Sequence, residues 1–374
     1  MGKAVPPVHT HSEQTAASAP FPANLVSGRG AASNPEARFE REQRQLEDDG
    51  WGLLEELPPL TTQCQNEVSR SIITRNTSPD LPFDRSINPY RGCEHGCTYC
   101  FARPSHAYMG LSPGLDFETR LYAKGNAAEV LERDLSKPSY KPKPIAMGTN
   151  TDPYQPIERT HQLMRQILEV LERCGHPVSI ITKSALILRD KDILARMAAR
   201  NLVSVRLSVT TEDRHLARSM EPRASTPANR FKAIEALAAA GVPTGVMVAP
   251  VIPGLTDHEL EGILTHAKDA GASAATYILL RMPREVSELF KDWLLREAPG
   301  RYRHVLSLMR SMRGGKDYDP QWNRRFRGDG PYADQLSRRF QLACRRLELS
   351  TRGGKLSTEH FVPPQKGGVQ LSLF

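Results

Sequence analysis

The sequence predicts an α/β fold built around a parallel barrel, complete or partial. Three observations carry that prediction. From about Ser71 onward, short β-branched or apolar stretches alternate with segments of helical period. Six such units follow one another, the pattern of βαβ connections and a parallel sheet. A chain of 374 residues is also long enough for a sizeable core, as one large domain or two ordinary ones.

The first strand is expected over residues 85–90, emptying into a loop that carries three cysteines, with a helix over 127–135 behind it. The second strand, Pro-Ile-Ala-Met-Gly at 144–148, is followed by a helix over 160–174. Val-Ser-Ile-Ile-Thr-Lys at 178–183 forms the third strand, with a helix around 190–200. The fourth covers 203–209, and its helix runs from Pro227 through an alanine-rich stretch to Ala240. Residues 244–250 make the fifth strand, residues 257–270 its helix, and residues 274–280 the sixth strand.

Residues 1–55 read as a tail that does not fold on its own, because they are rich in Ala, Ser, Pro and Gly and then strongly charged. The barrel core is assigned to 71–285, a basic and mostly helical region to 286–358, and a flexible tail to 359–374. Six cysteines in this length are not a disulfide framework, and the clustered three read as ligands in a reducing compartment. No apolar run reaches the roughly 18 residues that a spanning helix needs, and the N-terminus lacks a secretory apolar region. No membrane association and a cytoplasmic location are therefore expected.

The formal net charge of +8 is unevenly spread. Residues 296–352 hold 14 Lys and Arg against six Asp and Glu, a difference equal to the whole excess. Tyr302, Tyr318, Trp322, Phe326 and Tyr332 are interleaved with these cations. Such a segment fits a nucleic-acid groove, where phosphates meet cations and bases stack on rings. Solvated helix faces packed on the core are the alternative.

Cys93, Cys97 and Cys100 carry the most chemistry. Spacings of four and three set three sulfurs around one loop, one ligand short of a complete set. Structural zinc draws four ligands, usually from paired units, and Cys64, Cys174 and Cys344 stand alone. An iron–sulfur cubane takes four thiolates when the protein supplies them all, so three leave one iron open. His95 is a candidate extra ligand, though its place between Glu94 and Gly96 suits a loop residue. Zinc and redox-active thiols remain the other readings.

The run CxxxCxxC, with Tyr99 just before the third cysteine, resembles the signature of the radical S-adenosylmethionine (SAM) superfamily. That resemblance implies a partial (β/α)6 barrel and a [4Fe-4S] cluster on Cys93, Cys97 and Cys100. It further implies that the open iron chelates SAM, that one electron from a donor such as flavodoxin or ferredoxin cleaves SAM to a 5′-deoxyadenosyl radical, and that Tyr99 lies against the adenine.

Active sites of such barrels lie at the C-terminal ends of the strands. The second strand is followed by Gly-Thr-Asn-Thr-Asp at 148–152, where the superfamily holds the SAM ammonium, which assigns Gly148 and Thr149 to that cofactor. The following Asp-Pro-Tyr-Gln-Pro-Ile-Glu run, 152–158, is similar to the version in the spore photoproduct lyase branch and in related bacterial proteins labelled DNA repair photolyases. Lys183 ends the third strand, where an ammonium is costly unless paired with an anion. By the same resemblance Lys183 and Ser208 contact SAM. A surface lysine and a small core-facing serine are the alternatives. Arg223, ahead of a helix N-terminus, would complete an anion site with free backbone N–H groups, with Glu221 holding it in place. A helix cap without a ligand is the other reading.

One departure from that branch is plain. The lyase carries a hydrogen-donating cysteine on its second strand, and residues 144–148 contain none. Finally, Gln370, Leu371, Ser372, Leu373 and Phe374 match the peptide by which bacterial repair and replication proteins dock on the sliding clamp, beyond a Gly367-Gly368 tether. A tail folded back as an edge strand is the alternative. The leading reading is a radical SAM enzyme acting on DNA or another nucleic acid. The others are radical modification of a peptide, protein or small metabolite, and a clamp-associated iron–sulfur protein without catalysis.

Overall fold

A computed structural model describes residues 26–39 and 59–364. Its strands are β1 (Gln63–Asn66), β2 (Ile73–Arg75), β3 (Arg85–Ile87), β4 (Tyr90–Arg91), β5 (Arg120–Ala123), β6 (Ile145–Met147), β7 (Val178–Thr182), β8 (Val203–Ser208), β9 (Thr244–Val251) and β10 (Ala274–Leu279). Seven of them form one sheet in the order β10-β9-β8-β7-β6-β3-β2. Pairing is parallel from β3 through β10, and β2 joins the edge antiparallel to β3. Six parallel strands that neighbour one another in chain order are those of a partial (β/α)6 barrel.

The alternation that made these strands legible is a packing fact. In β7, Val178, Ile180 and Thr182 are buried, and in β8 Val203, Val205 and Leu207 take the same face. Helices cover that face. Leu163–Arg173 buries Leu163, Met164, Ile167, Leu168, Val170 and Leu171, an apolar stripe at helical spacing. Each fully buried side chain of that kind contributes on the order of 1.5–3 kcal/mol. Pro227 opens the helix Pro227–Ala239 behind the cap of Thr226, whose hydroxyl accepts from Asn229 N at 3.4 Å.

Two features lie outside the six units read from the sequence. β1, β5 and β4 form a separate three-stranded sheet, β1 parallel and β4 antiparallel to β5. The expected first strand, 85–90, divides accordingly: β3 joins the barrel, and Tyr90 begins β4 in the small sheet.

Residues 26–39 of the expected N-terminal tail are docked on the rest of the chain. Gly30 N and Ala31 N donate to the two carboxylate oxygens of Glu118 at 2.9 and 2.8 Å. Arg29 donates to Leu60 O at 2.6 Å, and Arg38 pairs with Glu285 at 2.5 Å. Low apolar content prevents a segment from folding alone, but not from docking on an existing surface.

The C-terminal region adds the helices Glu285–Glu297, Tyr302–Ser311 and Pro331–Arg346. Between the last two, residues 312–330 cross from one edge of the sheet toward the other. Leu279 N on β10 donates to Phe326 O at 2.9 Å. Arg325, next in line, forks onto Asp80 in the β2–β3 loop at 2.8 and 2.5 Å, and Asn323 N adds a third bond to Asp80 at 3.2 Å. A clasp of side chains thus bridges the two ends of the open sheet.

Five of the 14 cations in residues 296–352 are committed to ion pairs. Arg296 pairs with Asp292, Arg310 with Asp317, Arg324 with Asp329, Arg325 with Asp80, and Arg339 with Glu261. Tyr302 packs on the core and Tyr332 donates to Asp257 at 2.5 Å, whereas Trp322 stays exposed. No helix among the described residues is long and apolar enough to cross a membrane. The clamp-like peptide at 370–374 lies outside the described residues.

Candidate functional site

The three cysteines lie on one buried loop between β4 and the turn at 103–109. Three carboxylates from different parts of the chain hold it. Glu118 pairs with Arg103 at 2.5 Å, both fully buried, and Arg103 donates to Cys97 O at 2.9 Å and Gly96 O at 3.1 Å. Gly96 sits at φ +68, and a Cβ there would lie 2.7 Å from Glu118 Oε2, so the wrap around this carboxylate requires glycine.

Asp152, after β6, is the second anchor. It accepts from Thr182 Oγ1 at 2.6 Å and Lys183 N at 2.8 Å, and its Oδ2 lies 3.4 Å from His95 Nδ1. Burial draws this carboxyl upward, but His95, Thr182 and Lys183 N outweigh it and hold it at about 2. His95 is thereby a buried loop anchor.

Glu221 is the third. It accepts from Tyr99 OH, from Thr210 Oγ1 at 2.7 Å and from Arg230, whose side chain is 1% exposed against 0% for the glutamate. Burial again opposes ionisation, and Arg230 and then Lys183 overcome it, keeping the carboxyl at about 2. Thr98 N donates to Met220 O at 3.0 Å and Arg223 N to His95 O at 3.3 Å, so the 220–223 segment lies along the cysteine loop.

The 152–158 run has a structural role at almost every polar position. Tyr154 OH donates to Asp190 at 3.1 Å. Gln155 bonds both ways, accepting from Glu94 N at 2.8 Å and donating to Gly92 O at 3.2 Å. Glu158 accepts from Leu163 N and Met164 N, both at 3.0 Å, capping their helix.

The thiols are mutual neighbours in this frame. Burial pushes Cys93 well above the ordinary thiol range, followed by Asp152 and then by Cys97 and Cys100. Burial and then Glu221 raise Cys97 to about 12, against the pull of Lys183. Among the described residues, no three His, Cys, Asp or Glu side chains are arranged to hold one metal ion. Tetrahedral zinc, with Zn–S of about 2.3 Å, would need its sulfurs within about 4 Å of one another. Thiolates on separate irons of a cubane stand farther apart. A loop of three thiols beside one ammonium fits an anionic cluster with a vacant corner.

The other expected residues fall into two groups. Tyr99 is buried with its hydroxyl on Glu221, and Lys183 Nζ lies 5.7 Å from its ring centroid. Lys183 lies close enough to lower the Cys97 and Cys100 thiols, so these four residues share one neighbourhood. Ser208 is buried at the end of β8, its carbonyl accepting from Arg230 at 3.0 Å.

Arg223 is about a third exposed and pairs with Glu94 at 3.2 Å, which corrects the expectation that Glu221 holds it: Glu221 pairs with Arg230. Gly148 and Thr149 follow β6. Asn88 donates to Thr149 Oγ1 at 3.3 Å and accepts from Asn150 N at 3.1 Å, and Thr149 and Asn150 line a cavity of about 670 Å³ with Lys124 and Arg91. Gly148, at φ +82, is required because a Cβ would lie 1.9 Å from Ile181 O. Sequence reading missed Arg230, Arg103 and Glu118, since nothing in their neighbours' identities marks a charge as buried.

Fold and loop together define a radical SAM enzyme. The model of the radical SAM superfamily matches residues 87–267, and the chain belongs to that superfamily, whose members use a [4Fe-4S] cluster and SAM. An uncharacterized protein of Mycobacterium tuberculosis is 42% identical over 230 residues, covering 60% of this chain and 68% of its own length. A second uncharacterized protein, from Methanocaldococcus jannaschii, is 30% identical over 176 residues, 46% of this chain and 62% of its own. Among solved structures, spore photoproduct lyase complexed with dinucleoside spore photoproduct matches with a TM-score of 0.52 at 15% identity, over 77% of this chain and 81% of that one. At that identity the likeness is one of fold.

Proposed function

We propose that this enzyme acts on DNA or another nucleic acid, in repair or modification, with Cys93, Cys97 and Cys100 holding the cluster. The observation that carries the substrate class is the basic and aromatic C-terminal region, which is fixed across the open ends of the barrel beside the cysteine loop. The fold likeness to a lyase solved with a dinucleoside supports the same reading. Because β6 (Ile145–Met147) has no cysteine, the reaction is expected to differ from that lyase's hydrogen return.

Bound cluster and SAM supply one-electron cleavage of the sulfonium and a 5′-deoxyadenosyl radical that takes hydrogen from an unactivated carbon. The protein's own residues orient and shield. Tyr99 and Lys183 flank the cysteines, Lys183 offers an ammonium to a carboxylate, Ser208 ends β8, and Arg223 lies in the segment along the cysteine loop. Gly148 and Thr149 offer backbone and hydroxyl to the SAM amino group. Burial of the loop limits water at the cluster. A flavodoxin- or ferredoxin-type donor would supply the electron. The peptide Gln370 to Phe374 is proposed to dock on the sliding clamp, and deleting it should abolish clamp retention.

Anaerobic reconstitution should give about four irons per chain, the cubane count of the family. Reductant and SAM should then yield 5′-deoxyadenosine, with the yield raised by UV-damaged, undamaged or single-stranded DNA. A colourless protein with one zinc would refute the cluster assignment. Indifference to all three DNA forms would refute the substrate class.

A further inference from the structure

Directly after β10, Arg281 stands between two rings. Its guanidinium carbon is 4.7 Å from the centroid of Phe101 and 4.8 Å from that of Phe326. Phe101 immediately follows Cys100 and is 43% exposed, so this sandwich ties the clasp to the cysteine loop. Behind it Arg313 is 3% exposed, 5.6 Å from the Tyr318 centroid, and donates to Leu280 O at 2.5 Å. Arg281 Nη2 reaches Tyr318 OH at 3.4 Å.

Two cations are thus set side by side with little to neutralise them. Burial lowers the affinity of Arg313 for its proton and Arg281 adds to this, with Tyr318 and then Asp319 opposing it from the same segment. Asp319 accepts from Gln321 N at 2.9 Å, and no ion pair joins it to either arginine. Arg281 Nε and Arg313 Nε and Nη1 are buried without a hydrogen-bond partner. Unmade bonds on buried donors and uncompensated like charges both cost stability. An arrangement that leaves both in one place is matched by an anion. Phe101, 43% exposed, suits a base beside the anion, while Phe326 also carries Arg325 at 4.6 Å and closes the other side.

We propose that Arg281, backed by the positive field of Arg313, is a phosphodiester subsite of the nucleic-acid substrate, and that Phe101 and Phe326 wall it at the end of β10. This proposal rests on the nucleic-acid reading above. Arg281 is the contact and Arg313 its positioning residue.

Anisotropy of a labelled single-stranded oligonucleotide on the anaerobic, cluster-loaded chain, over a series of salt concentrations, tests it. Arg281→Gln should weaken binding about fivefold to tenfold and lower the salt slope by about 0.7, the value of one lost phosphate contact on a single strand. Arg281→Lys should keep the slope. Circular dichroism and the melting midpoint establish that each variant is folded. The wild-type chain gives a second measurement that needs no variant. Moving one neutral methylphosphonate link along the oligonucleotide should weaken binding at one position by the same factor and elsewhere little. If the wild type binds while Arg281→Gln matches it in affinity and slope, or all link positions are equivalent, the subsite is overturned and the nucleic-acid reading stands. If the wild type binds no oligonucleotide at low salt, both fall.

Discussion

Glu221→Gln tests the account of the cysteine loop most directly. The substitution keeps shape and removes the charge on which Tyr99, Thr210 and Arg230 converge. Because the Glu221–Arg230 pair is fully buried, the loss strands a guanidinium, at a cost of about 3–5 kcal/mol. An independent route gives a similar figure. The carboxyl titrates at about 2 instead of its ordinary 4.5, and at 1.36 kcal/mol per unit that difference corresponds to roughly 3 kcal/mol. The sign follows from the depressed folded value. This stabilisation is present above pH 4.5 and is lost as pH falls from 4.5 toward 2. At roughly 2 °C per kcal/mol for a large domain, the variant should melt about 6–10 °C lower at pH 7. It should also lack the wild type's extra acid sensitivity in that window, and should retain less iron. Thermal and acid denaturation followed by circular dichroism measure both. A midpoint within about 2 °C of wild type, or an unchanged acid limb, would refute the reasoning.

Three further outcomes are expected. Asp80→Asn removes the charge and one of the two acceptor oxygens of the Arg325 fork and sets an amide donor in its place, in a pair only 4% and 16% exposed; it should cost roughly 1–3 kcal/mol and raise amide exchange across 318–328, and unaltered protection there would show that the clasp is held otherwise. Gly148→Ala should fail to fold stably, since its Cβ meets Ile181 O at 1.9 Å, whereas Gly241→Ala, at φ +76 with nothing within 4 Å, should lose only about 1 kcal/mol; equal midpoints for the two would contradict this. Lys183→Met should weaken SAM binding by about tenfold, through the lost charge-assisted contact, while leaving iron content intact; equilibrium binding on the reconstituted chain is the check.

Much of the barrel is written in local pattern. β7, expected over 178–183, ends at Thr182, and the helix expected over 127–135 spans those residues. Both signals are local: an alternating or periodic apolar face that one layer of packing buries. The small sheet was not legible, because β1 is mostly exposed and its pairing partner β5 is 57 residues away at Gln63↔Arg120. Nor could the sequence say which arginine meets Glu221. Arg223 is two residues away and Arg230 nine, and only the helix Pro227–Ala239, which turns Arg230 inward, selects the farther one. The 152–158 run was legible as a motif but not as a scaffold, since its bonds reach Gly92, Asp190 and the helix at Leu163.

The N-terminal strap also has a consequence for the order of assembly. Gly30 lies so close over the cysteine loop that a Cβ would fall 1.7 Å from Gly96 O. Its anchor, Glu118, is translated 88 residues later. The strap therefore cannot take this seat before residue 118 has been made, and the cysteine loop, complete by residue 100, is uncovered on that side until then.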